Sequence, residues 1–113
     1  MPRALVIDGL AWDEENEAHV ARRADPNDVA DMIANGTFEI FPNPKFHPQH
    51  YWRVIGLTAS GKWLTAVLQQ PDDGTVGIWR PVTAWPATDF EVSMFRRARG
   101  RRKRRSQRDD GSR

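Results

Sequence analysis

The residues best suited to chemistry in this chain are cations. Arg80 sits in a β-prone stretch, Ile78-Trp79-Arg80-Pro81-Val82-Thr83-Ala84, and Arg53 sits in another, Tyr51-Trp52-Arg53-Val54. A guanidinium keeps its charge at any ordinary pH and offers a fork of donors, so either one could neutralise a phosphate or the charge that builds on phosphorus during phosphodiester cleavage. His50 enters the strand that carries Arg53, and its ordinary titration range of about 6 to 7 makes it the preferred general acid or base. His47 and His50 stand three apart in a Pro-bearing stretch, a spacing compatible with two metal ligands, but no third ligand at matching spacing is visible and no metal or other cofactor is expected. With no Cys in the chain, a thiol nucleophile, a thiolate metal site and a disulfide framework are all excluded.

Charge points the same way. The net charge of +2 conceals a split: residues 1–95 hold 7 Lys and Arg against 13 Asp and Glu, whereas residues 96–113 hold 10 against 2. Arg96, Arg97, Arg99, Arg101, Arg102, Lys103, Arg104 and Arg105 form a cationic block that cannot be core and that suits the phosphates of a nucleic acid. A solubilising role is the plain alternative. It leaves the acidic body unexplained.

The elements that must position these residues read as follows. Asp13 opens a helix with acids in its first turn and Arg22-Arg23 at its end, as the macrodipole favours. Asp25-Pro26 opens a second, with Val29, Met32 and Ile33 at helical spacing until Gly36 stops it. Phe38 and Ile40 mark a short strand. Segments 51–58, 63–69 and 75–84, joined by turn-rich connectors, predict an antiparallel meander. Ala4-Leu5-Val6-Ile7 is a further edge-strand candidate, and Thr88-Asp89-Phe90-Glu91 has the capping-box pattern of a last helix with Phe90 and Met94 on one face. The expected fold is therefore α+β: three or four antiparallel strands, two N-terminal helices over one face, a C-terminal helix, and a flexible basic tail from Arg96. The domain would span 1–95 and the tail 96–113. Nothing in the first ten residues is long or apolar enough for a leader or a membrane span, so a cytoplasmic location is expected.

Strand parity sets two further expectations. In a regular strand Arg80 shares its face with Val76, Ile78, Val82 and Ala84, which would aim a charge into apolar surroundings unless Pro81 introduces a bulge or Glu91 supplies a counter-charge. Trp63 and Trp79 share the other, less apolar face, where they would stack bases, receive a partner or pack under the last helix. Lys62, in a turn, reads as an ordinary solvated residue.

Trp12-Asp13-Glu14-Glu15-Asn16, Val54-Ile55-Gly56-Leu57-Thr58, the strand around Arg80 and Ala87-Thr88 through Glu91 together resemble the BrnT family of toxins, within the RelE/ParE-like group. The resemblance covers about Trp12 to Phe95. It implies a ribonuclease that works without a metal, paired with a cognate antitoxin, for example of ribbon-helix-helix type, and acting on RNA or at the ribosome. Asn16 and His19 stand where such toxins have an Asn and a helical His. Trp85, Val92 and Tyr51, however, stand at three positions where the family has Arg. The alternative is a non-catalytic module that uses its basic segment to sit on RNA, DNA or the ribosome.

Overall fold

A computed structural model describes residues 6–43, 51–70 and 77–111, with side-chain surroundings defined through Lys103. Helix α1 (Glu14–Ala21) starts where Asp13 and Asn16 cap each other: the Asn16 amide donates to Asp13 Oδ1 and the Asp13 amide to Asn16 Oδ1, both at 2.8 Å. Each bond satisfies a donor that the first turn leaves without an intrahelical acceptor. Helix α2 (Pro26–Asn35) starts at Asp25, which accepts from the Asn27 amide, and stops at Gly36, whose φ of 76° is the left-handed value that favours glycine.

Among the described residues five strands form one sheet in the order β1-β5-β4-β3-β2: β1 (Gly9–Leu10), β2 (Phe38–Pro42), β3 (Tyr51–Leu57), β4 (Trp63–Gln69) and β5 (Ile78–Pro86). From β2 to β5 the strands form the antiparallel meander the turn signals predict. The sheet exceeds the three or four antiparallel strands expected and is mixed, because β1 adds a parallel pairing, Gly9 with Ile78 and Leu10 with Trp79. The pairing also falls later than the β-prone run at Ala4–Ile7, of which Ala4 and Leu5 lie outside the described residues. Its place is set by the partner: the amides of Asp8 and Gly9 both reach the Gly77 carbonyl, at 2.7 and 3.1 Å. Propensity in an isolated run carries no such register.

The core lies on one face of the sheet, where Val20 of α1 and Val29 and Met32 of α2 meet Val54, Leu64, Ala66, Leu68, Trp79 and Ala84. Trp79 is only 2% exposed, which corrects its assignment to the other face. The reason is a bulge. Val67 pairs with Thr83 but Leu68 with Pro81, so Val82 is an extra residue that reverses the parity of everything before it on β5. Trp79 and Pro81 turn inward, and Arg80 turns away from the core.

The second face carries Ile55, Thr65 and Val67 and is covered by α3 (Asp89–Gly111). Phe95 meets Trp63 edge to face at 5.0 Å, so Trp63 packs under α3 rather than lying open. Phe90 departs from the expected apolar face and is 66% exposed. Helix α3 also runs on through the basic block to Gly111 where a flexible tail was expected from Arg96, crossing the boundary drawn at residue 95. What a local reading of like charges lacks is their distant counter-charge, Glu39 on β2.

Candidate nucleic-acid interface

Arg80 finds its partner at the start of α1. Its Nη1 donates to Asp13 Oδ2, while the other oxygen of the same carboxylate caps the helix. The Arg80 bond, more than the cap, holds the Asp13 carboxyl below its ordinary value, and the same bond raises the Arg80 guanidinium. The acid expected opposite Arg80, Glu91, is engaged elsewhere, which corrects that pairing. Parity explains it: the bulge leaves Arg80 level with Gln69 and Tyr51, two residues along the sheet from the Arg53 row.

Beside this pair, α1 and the ends of β3, β4 and β5 enclose a cleft of about 570 Å³ lined by Glu15, His19, Arg22, Tyr51, Gln69 and Arg80 among others. It holds an imidazole, a phenol and two guanidinium groups within one concavity. His50, which precedes Tyr51, lies outside the described residues, as does His47.

Arg53 is half-buried on the second face and pairs with Glu91 at 3.4 Å. Glu91 is 3% exposed, yet its carboxylate is well supplied: Oε1 accepts from the Trp85 indole at 3.0 Å, the Thr88 amide at 3.0 Å and the Thr88 hydroxyl at 3.2 Å. The Thr88 hydroxyl in turn accepts from the Glu91 amide, completing the capping box of α3. Burial alone would push this carboxyl up, but the Thr88 and Trp85 donors with the Arg53 charge outweigh it and hold it below the ordinary value. Trp85 is flanked by Arg23, 5.1 Å from its ring centroid, and Arg53 at 5.9 Å. Among the described residues Arg53 and Arg80 therefore share no partner. Each is committed to its own acid.

The arginines of α3 divide by helical position. Arg99 and Arg102 turn to β2, where Glu39 meets Arg99 Nε at 2.9 Å and Arg102 Nη2 at 2.7 Å, and Arg99 also donates to the Phe38 carbonyl. Arg96 lies over the Trp63 ring at 5.6 Å. Arg97, Arg101 and Lys103 are exposed and make no ion pair among the described residues. Arg104 and Arg105 continue the helix backbone, and their side chains lie outside the described residues.

Comparison with protein-family models, curated proteins and solved structures returns no match. The site's own geometry carries the reading.

Three participants escaped the sequence. Glu39 stands between Phe38 and Ile40 and reads as an ordinary solvent-facing strand residue; its only signal is that it is an acid on an edge strand of a chain with surplus arginine at its end. Asp13 was legible as a cap but not as a counter-ion, because its second oxygen points to a strand 67 residues away. Tyr51 reads only as a missing Arg. Among the described residues no cluster of three or more His, Asp or Glu could hold a metal ion, and no helix is long and apolar enough to cross a membrane.

Proposed function

We propose that this protein binds RNA through α3, with the uncommitted cations Arg97, Arg101 and Lys103 neutralising backbone phosphates. The observation that carries this reading is the sorting of the helix: its inner arginines are held by Glu39, while its outer ones face solvent with no counter-charge among the described residues. Each phosphate neutralised releases condensed counter-ions, so such binding is favourable and weakens steeply with salt. The acidic body, repelling the same backbone, confines the strand to the helix. Anisotropy of a labelled oligoribonucleotide, followed from low to high salt, tests it: affinity should fall linearly on a log–log scale.

The cleft favours a second reading, the BrnT-like toxin. His19, Tyr51, Arg22 and Arg80 are the groups that a cleavage through the ribose 2′-OH would use, the imidazole to move the proton and the guanidiniums to hold the phosphate. A cognate antitoxin would then cover the cleft. Against it stand the two ion pairs, Arg80 with Asp13 and Arg53 with Glu91, which occupy the cations such chemistry needs.

A further inference from the structure

The sheet takes only one side of α3. Glu91, Phe95, Arg99 and Arg102 recur at helical spacing and, with Arg96 over Trp63 at their flank, are residues whose contacts reach β2, β3, β4 and β5. At 3.6 residues per turn, Phe90, Met94, Arg97 and Arg101 stand at i, i+4, i+7 and i+11, a second row roughly a third of a turn away. Within this row Met94 is half-buried, whereas Phe90, Arg97 and Arg101 are exposed. Phe90 is the most exposed of the large hydrophobic residues described, and nothing in the core requires it.

We infer that this row is a track for a single strand of RNA, whose phosphates pair with Arg97 and Arg101 while an unstacked base lies on the Phe90 ring. The inference rests on the reading that α3 binds RNA and adds which residues do so and in what form the RNA is taken. Charge selects a polyanion. The ring selects among polyanions, because an aromatic face at the end of an arginine row gains most from a base that is free to leave its neighbours, as in loops and single strands of RNA. A duplex RNA would serve this row less well, because its bases stay stacked and its major groove is too deep and narrow for the Phe90 ring to reach them. Arg99 and Arg102 take no part, since Glu39 holds them on the inner side.

The test uses the full chain and a fluorescein-labelled oligouridylate of about 12 nucleotides, within the usual range for single-strand sites. Phe90→Ala should weaken binding roughly 5- to 150-fold without changing the salt slope, and Phe90→Tyr, which keeps the ring, should restore it. Arg97→Ala with Arg101→Ala should lower the slope of log affinity against log salt by about 1.4, or about 0.7 per lost phosphate contact on a single strand. All these positions are exposed, so the variants should fold, as circular dichroism would verify. RNA binding with a full salt slope that neither substitution alters would overturn this surface while leaving α3 as the binding element through its other cations. Tighter binding to a duplex, or to single-stranded DNA of matching sequence, would overturn the choice of RNA strand. No binding to any oligonucleotide would remove both this inference and the function on which it rests.

Discussion

Glu39 Oε1 and Arg102 Nη2 lie 2.7 Å apart although 63 residues separate them in sequence. With Arg99 on the other carboxylate oxygen, this contact ties the basic part of α3 to the edge strand β2. It also removes two arginines from the pool available to a phosphate. Glu39→Gln should therefore have two effects of opposite kind: helix content drops as the anchor loosens, and the salt dependence of RNA binding steepens by about 1.4 as two cations are released. Circular dichroism and a salt titration measure them. An unchanged slope would mean that the inner arginines stay out of reach for another reason.

Glu91 gives the chain a sign-defined pH dependence. Its folded carboxyl is held below the ordinary value, so it stabilises the fold above the unfolded glutamate value of about 4.3, and this contribution disappears as pH falls through the lower, folded value. Glu91→Gln should cost about 1–3 kcal/mol at neutral pH, because it leaves Arg53 half-buried without a counter-charge. The difference between variant and parent should shrink on acidification below pH about 4. Urea unfolding at pH 7, 4 and 3 would check this, and a constant difference would place the stabilising role elsewhere.

Trp79 and Trp63 should behave differently. Trp79 is in the core and donates its indole N–H to the Val6 carbonyl at 3.0 Å, so Trp79→Ala should cost about 3–5 kcal/mol, a large part of a small domain's stability. Trp63 is half-buried between Phe95 and Arg96, and Trp63→Ala should cost less. Equal losses in urea unfolding would contradict the placement of the two rings on opposite faces.

The cleft can be examined in cells. His19 and Arg80 are largely at the surface, so His19→Ala and Arg80→Ala should leave the thermal midpoint nearly unchanged. Under the RNA-binding account neither substitution alters the effect of overexpression on growth. Growth arrest by the parent chain that both substitutions relieve would move the function to the cleft and to the toxin reading.

What the sequence made legible was local. Asp13, Asp25-Pro26, Gly36 and Thr88 with Glu91 mark helix ends through contacts that span at most a few residues, and the structure places helix ends at each of them. The meander was equally readable, because its connectors are short. Pro81 signalled the bulge that turns Arg80 away from the core, but its consequence for Trp79 was not read, and one extra residue exchanges the faces of both. Of the site, the arginines were visible by type, but their partners were not. Asp13, Glu91 and Glu39 meet Arg80, Arg53 and Arg102 across 67, 38 and 63 residues, and no spacing rule reaches that far.

The measurement closest to the central claim is the affinity of the unmodified chain for a single-stranded oligoribonucleotide as salt is raised from about 50 to 200 mM. Neutralisation of phosphates by α3 predicts measurable binding at low salt and a linear fall of log affinity with log salt, its slope set at about 0.7 per phosphate contact. Binding that does not change with salt, or no binding at the lowest salt, would contradict it.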